Sequence, residues 1–162
     1  MMQARGMDWK TILVPHDFSA SANHAAAIAR DEAKRHAARL VLLHVIELPY
    51  QLGPDAVIVP PETGAPISVR QYAIQSAEAH LGDLIARLGK DGVDAVGVVK
   101  IGHAVDEILE AIDEQRADLV VMGTHGRTGL GHLMVGSVAE RVVRASRVPV
   151  LTIRHADHAA AG

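Results

Sequence analysis

Short apolar runs rich in β-branched residues alternate along this chain with longer segments in which apolar residues recur every three or four positions. This alternation is typical of a parallel β-sheet with helices on both faces. Because crossover connections are right-handed, the predicted fold is α/β, a doubly wound and Rossmann-like sandwich built on a five-stranded parallel sheet. The predicted strands are Thr11 to Val14, Leu40 to Val45, Val93 to Val99, Leu119 to Met122 and Val148 to Ile153.

Four segments between these runs have helical periodicity. They are Ser21 to about Ala38, Ser68 to Leu88, the stretch from Val105 to Ile112 and a segment that begins at Ser137. Ser21 is predicted to cap the first helix, and Gly89 to lie at the C-terminal cap of the second. Ser137 and Glu140 stand in the spacing of a capping box at the start of the fourth. The connection from Glu47 to Ile67 is rich in proline and glycine, so it is either a functional loop or a tolerated surface insertion.

The composition indicates one globular domain. Apolar residues make up 49% of the 162 residues, which is enough for one core. A net charge of −3 and an aromatic content of 2% argue against binding to nucleic acid. The chain has no cysteine, which fits a cytoplasmic location, and no signal peptide or membrane span is predicted. Residues 1–8 are expected to be an N-terminal extension, 9–154 the domain and 155–162 a flexible tail.

The segment from Met122 to Ser137 is crowded with glycine and joins a predicted buried strand to a predicted helix. Backbone N–H groups and the positive end of the helix dipole would converge there, where an anion can bind. Thr124 and Ser137 add hydroxyl groups and Arg127 adds a positive charge. The segment lacks the Gly-Lys-Ser/Thr sequence of a P-loop, and the first strand is not followed by the glycines of a dinucleotide fingerprint. This pattern predicts a phosphate site of another kind.

The spacing Gly-x2-Gly-x9-Gly-Ser, carried by Gly123, Gly126, Gly136 and Ser137, resembles the motif of the ATP-binding subgroup of the universal stress protein family. The similarity extends over nearly the whole chain, from about Trp9 to Arg154. It implies the adenine nucleotide alpha hydrolase-like variant of the Rossmann fold. The other matching stretches are Ile12 to Ser19, Leu43 to Val45, Ile101 to Ala104 and Asp118 to Gly123.

The resemblance implies a nucleotide site and a role for its residues. Asp17 would contact the adenosine, the backbone of Val45 would bind adenine, and Gly102 would lie against the ribose. The glycines of the motif and Ser137 would hold the phosphates, with Mg²⁺ or Mn²⁺ held mainly by the phosphates and water. The full set of implied binding residues is Pro15, Asp17, Val45, Gly102, Met122, Gly123, Thr124, Gly126, Arg127, Gly136, Ser137 and Val138. Two positions depart from the family: His16 stands where many relatives have Val or Thr, and Ala104 where many have Pro.

Simpler interpretations of these residues stay open. Ser137 can serve only as a helix cap, Asp17 only as a turn residue and Arg127 only as a solvated charge. Of the ten histidines, His125 alone is placed to approach a phosphate, and their spacing does not indicate a metal site. No catalytic residue and no protein-bound metal are therefore predicted.

The leading functional hypothesis is an ATP-binding regulatory module of the stress response, with at most slow hydrolysis, in which bound nucleotide alters contacts of the dimer or of an unknown regulatory partner. It is expected to dimerise through the apolar edge strand Val148 to Ile153. The alternatives are an adenylating or pyrophosphate-releasing enzyme and a nucleotide-free interaction protein. The phosphate hypothesis also predicts that valine at both Gly123 and Gly126 abolishes ATP binding and leaves the dimer folded.

Overall fold

The structure is a computed structural model, and it describes residues 8–53, 55–125 and 136–154. The predicted tail and nearly all of the predicted N-terminal extension lie outside these ranges. The elements, in chain order, are β1 (Thr11–Pro15), α1 (Ala20–His36), β2 (Arg39–Ile46), β3 (Val57–Ile58), β4 (Ile67–Ser68), α2 (Val69–Lys90), β5 (Ala95–Ile101), α3 (Ala104–Glu114), β6 (Leu119–Gly123), α4 (Ser137–Ala145) and β7 (Val150–Ile153).

The main sheet has five strands in the order β5-β2-β1-β6-β7, and every neighbouring pair is parallel. The predicted fold class is therefore confirmed. The chain proceeds from β1 to β2 on one side of the central strand, and β6 later pairs with its other side. Strand order thus reverses at β1, and in such sheets ligands bind beyond the carboxyl ends of the strands at this point.

The alternation of side chains along the strands divides the core into two layers. Ile12 and Val14 pack with the buried alanines of α1 and with Leu81 and Leu88 of α2. Leu13, between them, faces the opposite side and packs with the apolar faces of α3 and α4. Because both faces of the sheet are covered, the strands contain apolar runs instead of an apolar and polar alternation.

The predicted start of α4 at Ser137 is confirmed, whereas the predicted caps of α1 and α4 are wrong. The first helix is capped by Ser19, whose Oγ accepts a hydrogen bond from the N–H of Ala22 at 3.1 Å, whereas Ser21 is buried within the first turn. The cap of α4 is Gly136, which has no side chain, so the capping box predicted for Ser137 does not form. The predicted C-terminal cap of α2 is also wrong, because Gly89 lies inside the helix and Asp91 is the cap.

The other differences concern short segments. The long connection after β2 contains one small antiparallel pair, β3 with β4, so it is less irregular than predicted. The last strand begins at Val150, because Val148 donates its N–H to Oγ of Ser146 at 3.2 Å and so belongs to a turn. Among the helices in the described part of the chain, none combines the length and apolarity that a membrane span requires.

Candidate functional site

A cleft of about 480 Å³ opens beyond the carboxyl ends of β1, β2 and β6, where strand order reverses. Its walls come from the turn after β1, the end of β2 and the first turns of α3 and α4. The lining residues are Pro15, His16, Asp17, Ala22, Leu43, His44, Val45, Ile46, Glu47, Ala104, Ile108, Met122, Gly123, Thr124, His125, Gly136, Ser137, Val138 and Ala139.

Nine of the twelve predicted site residues line this cleft. They are Pro15, Asp17, Val45, Met122, Gly123, Thr124, Gly136, Ser137 and Val138. Gly126 and Arg127 lie outside the described residues. Gly102 is described but is not among the lining residues, because the side chain of Glu107 packs against it and its N–H donates to the carbonyl of Ile46 at 3.1 Å.

Glu107 is held over Gly102 by an ion pair with Lys100, at 3.1 Å between Nζ and Oε2. Lys100 also pairs with Glu110 and Glu114 on successive turns of α3. Desolvation disfavours the charged amine, but the hydrogen bonds to these carboxylates outweigh it and raise the pKa of Lys100. This cluster fastens α3 to β5 and covers the position that the family resemblance assigns to the ribose.

The turn after β1 forms one wall of the cleft and is folded by its own polar side chains. Oδ1 of Asp17 accepts the N–H of Ser19 at 3.0 Å, and Nδ1 of His16 accepts the N–H of Phe18 at 3.1 Å. Phe18 adopts a positive φ of 63°, a costly conformation for a residue with a side chain. The turn therefore presents Asp17 to the cleft in a fixed position.

His16 is a buried ionisable group in the cleft wall, with 3% of its surface exposed. Burial lowers the pKa of His16, and the neighbouring Asp17 opposes that shift. Its Nδ1 is an acceptor for the N–H of Phe18, so the ring is bound in its neutral form.

The backbone of Val45 faces the cleft. In a parallel strand, alternate residues direct their N–H and C=O groups to the same side. The carbonyl of Leu43 accepts the N–H of His16 at 2.8 Å, which shows that Leu43 faces β1. Val45 faces the same side, beyond Pro15, the last residue of β1. Its backbone groups are placed where a planar ligand with donor and acceptor atoms could bind.

Gly123 is required for packing between β6 and α1. A Cβ at this position would lie 3.0 Å from the carbonyl carbon and from Cβ of Ser21, and closer still to its Oγ. Valine there would clash with the first turn of α1 and should lower stability, so a valine variant at Gly123 does not test ATP binding alone. Oγ of Ser21 is buried and finds no hydrogen-bond partner in the part of the chain that the structure describes.

Thr124 and Gly136 bring together the two ends of the glycine-rich segment. The N–H of Gly136 donates to the carbonyl of Thr124 at 2.6 Å, and a Cβ on Gly136 would lie 2.8 Å from the same oxygen. Thr124 is buried, its N–H donates to Ile153 at 3.0 Å, and its Oγ1 lies 2.9 Å from Nδ1 of His125. The predicted contact of the Thr124 hydroxyl with a phosphate thus competes with its contact to Nδ1 of His125.

Three helices begin at the carboxyl edge of the sheet, and their first turns differ. Oγ of Ser19 caps α1, and Oε1 of Glu47 accepts the N–H of Ala104 at 2.7 Å at the start of α3. The cap of α4 is Gly136, and no side chain in the described part of the chain caps its first turn. Of these three helix starts, α4 is therefore the one whose N–H groups are left for an external acceptor among the described residues.

The charges described in the cleft wall are negative. Asp17 and Glu47 are carboxylates, and the described lining contains no lysine or arginine. Over residues 8–53, 55–125 and 136–154, no group of three or more His, Asp or Glu side chains is placed to hold a metal ion.

Among the lining residues outside the predicted set, Glu47 and Ala104 form the contact that sequence reasoning missed. Glu47 lies two residues after Val45, and this position at the end of a central strand was the available signal. Its contact with Ala104 joins residues 57 positions apart, which no local pattern indicates.

Comparison with known proteins agrees with the observed fold. The sequence profile of the universal stress protein family matches residues 8–154. The chain belongs to the universal stress protein family. This universal stress protein is similar to the one encoded in the QAH/OAS sulfhydrylase 3′ region of Thermus aquaticus, with 34% identity over 148 residues that cover 90% of this chain and 99% of the relative.

Solved structures of the family have the same fold. Protein MJ0577 superposes with a TM-score of 0.77 and 26% identity, and the match covers 91% of this chain and 97% of MJ0577. A universal stress protein solved in complex with cAMP superposes with a TM-score of 0.63 and 24% identity, covering 91% of this chain and 98% of that one.

Proposed function

We propose that this universal stress protein is a regulatory module that binds ATP in the cleft and hydrolyses it slowly or not at all. The observation that carries the proposal is the first turn of α4 after Gly136, which no described side chain caps, whereas described side chains cap the starts of α1 and α3 at the same cleft. Free N–H groups at a helix start favour phosphate through hydrogen bonds and through the helix dipole. Ser137 lies in the same turn and adds a hydroxyl donor.

The end of β2 supports adenine as the base. Val45 directs its backbone N–H and C=O beyond the end of β1, and a neighbouring donor and acceptor match the edge of adenine. A universal stress protein of the same fold was solved with cAMP, so the fold holds an adenine nucleotide in that protein.

The charges of the cleft support a divalent cation with the phosphates. With Asp17 and Glu47 as the charged residues of the described lining, the negative charge of ATP needs compensation. Mg²⁺ or Mn²⁺ held by the phosphates and water would supply it, and Mg²⁺ commonly binds in this way with nucleotides. Affinity for ATP should therefore fall when the divalent ion is chelated.

The same lining supports binding rather than fast turnover. Rapid phosphoryl transfer needs positioned charge clamps and a base or group that orients the nucleophile. Nδ1 of His125 is already engaged with Oγ1 of Thr124, and Oδ1 of Asp17 accepts the N–H of Ser19. The lack of cysteine supports a cytoplasmic location for this regulatory protein.

The edge strand β7 supports a homodimer. It ends the sheet, with β6 on one side, and exposes Leu151 at 39%. Val143 of the neighbouring α4 is exposed at 49%. Pairing of β7 with its copy would cover both the open edge and these apolar side chains.

Two measurements test the proposal. Protein denatured directly after purification is analysed by mass spectrometry for released nucleotide, and nucleotide-free protein is titrated calorimetrically with ATP, with and without Mg²⁺. We expect stoichiometric ATP binding that weakens in EDTA, and little phosphate release in a product assay. Absence of binding at millimolar ATP would favour a nucleotide-free interaction protein, and rapid turnover would favour an enzyme.

A further inference from the structure

We propose that Glu47 accepts hydrogen bonds from the ribose hydroxyls of the bound nucleotide. This contact makes the cleft selective for ribonucleotides with free 2′ and 3′ hydroxyls. The inference rests on the proposed function, because it concerns the same cleft. Glu47 lines the cleft, whereas Gly102 does not line it and has the side chain of Glu107 packed against it.

Glu47 is held at the edge of the cleft by a single backbone donor. Its side chain projects from the segment after β2, and Oε1 accepts the N–H of Ala104 at 2.7 Å. The positive end of the α3 dipole favours a carboxylate at this point. The carboxylate takes the first N–H of α3 and would repel a phosphate at this turn, whereas the remaining lone pairs of Glu47 can accept hydrogen bonds from a ligand.

The donor that holds Glu47 exists because residue 104 is alanine. Proline at this position would have no backbone N–H to donate. With proline there, the carboxylate of Glu47 would lack this contact. Alanine at residue 104 therefore allows an anchored carboxylate in the cleft.

The position of the carboxylate relative to Val45 suits a ribose. If the base binds at the backbone of Val45, the sugar lies next along the ligand, and Glu47 is two residues farther along the same strand end. An ionised carboxylate only accepts hydrogen bonds, and ribose hydroxyls donate them. The same carboxylate repels a phosphate on the 2′ or 3′ oxygen.

Two substitutions separate the charge of the Glu47 carboxylate from its hydrogen bond to the N–H of Ala104. Glu47→Gln keeps the shape and removes the charge. Ala104→Pro removes the N–H and suits the backbone, since proline is favoured at the first position of a helix and His103 before it is extended, with φ −84° and ψ 127°. Glu62→Gln is the matched control, because Glu62 is exposed, lies in the same connection and does not line the cleft.

The assay is calorimetric titration of each protein with ATP, 2′-deoxy-ATP, 3′-deoxy-ATP and adenosine 3′,5′-bisphosphate. In the parent and in Glu62→Gln, removal of either hydroxyl should weaken binding about tenfold, as expected for one hydrogen bond to a charged group. In Glu47→Gln and Ala104→Pro this ratio should fall to about threefold or less. The 3′-phosphate should be bound better by Glu47→Gln than by the parent.

The outcomes are distinguishable. If ATP binds and the deoxy ratios are the same in the parent, Glu47→Gln and Ala104→Pro, Glu47 does not read the ribose and the proposed function stands. If the parent binds no adenine nucleotide, both proposals are wrong. Circular dichroism and thermal unfolding of each variant verify that the fold is kept.

Discussion

Replacement of Gly123 by alanine is the most direct test of how β6 packs against α1. The added Cβ would lie 3.0 Å from the carbonyl carbon and from Cβ of Ser21. Carbon atoms in contact normally lie about 3.5–4.0 Å apart, so the first turn of α1 would have to move by about 0.5 Å or more. Overpacking of this kind costs about 1–3 kcal/mol, which is a substantial fraction of the roughly 5–15 kcal/mol that stabilises a domain.

Urea unfolding followed by circular dichroism measures this cost. Gly82→Ala is the matched control, because Gly82 lies on an exposed part of α2 and a Cβ there meets nothing within 4 Å. Gly82→Ala should stabilise the protein by up to about 1 kcal/mol through helix propensity. The same chemical change is thus expected to have opposite signs at the two positions.

A second substitution identifies the partner. Ser21→Gly removes Cβ and Oγ and leaves the carbonyl carbon, so it should relieve part of the clash. In a double-mutant cycle, Ser21→Gly and Gly123→Ala should be coupled by about 1 kcal/mol. Equal stability of Gly123→Ala and the parent, or strict additivity in the cycle, would refute the packing argument.

Three further predictions concern the cleft wall, α3 and β7. Because burial lowers the pKa of His16, the unfolded chain binds a proton first as pH falls below about 6.5, and stability should drop by up to about 1.4 kcal/mol per pH unit. His16→Thr should flatten this part of the curve in urea unfolding at pH 7.5, 6.5 and 5.5, and parallel curves would contradict it. Lys100→Met leaves three carboxylates of α3 without their shared cation, so it should cost about 1 kcal/mol at low salt and less at high salt in thermal unfolding. An effect independent of salt would argue against this electrostatic origin. Leu151→Lys places a charge on the exposed edge strand and should convert a dimeric parent to a monomer in sedimentation at micromolar concentration; a monomeric parent would refute the dimer.

The sheet could be predicted from the sequence, whereas helix ends could be predicted only approximately. Buried parallel strands leave an unmistakable pattern, because runs such as Leu40 to Leu43 are apolar on both faces. A helix cap depends on the backbone angles of one residue. Ser19 and Ser21 are equally good caps by composition, and the extended conformation of Ser19 decides between them.

The cleft was predictable because topology brings strand ends together, but contacts distant in sequence were not. Asp17, Val45 and Gly136 line the same cleft because they lie at one edge of the sheet. Asp17 follows β1, Val45 lies at the end of β2 and Gly136 precedes α4. The contact of Glu47 with Ala104 depends on the path of the chain after β2, which sequence periodicity does not encode.

The phosphate hypothesis needs a variant that changes binding without changing stability, and Gly123 cannot provide it. Ser137 can, because it is exposed in the first turn of α4, lines the cleft and is not the cap residue of that helix. Ser137→Ala should change the free energy of unfolding by less than about 0.5 kcal/mol. Loss of one hydroxyl contact to a charged phosphate should weaken ATP binding about tenfold.

Ser146, at the other end of α4, is the matched control for Ser137. Its Oγ donates to the carbonyl of Val148 at 2.8 Å and accepts the N–H of the same residue at 3.2 Å. Ser146→Ala should therefore lower stability by about 1 kcal/mol or more and leave ATP affinity unchanged, the reverse of the result at Ser137. If Ser137→Ala lowers stability as much as Ser146→Ala, then Ser137 is a structural residue. If neither substitution changes the affinity for ATP, then the phosphates do not bind at Ser137 in the first turn of α4.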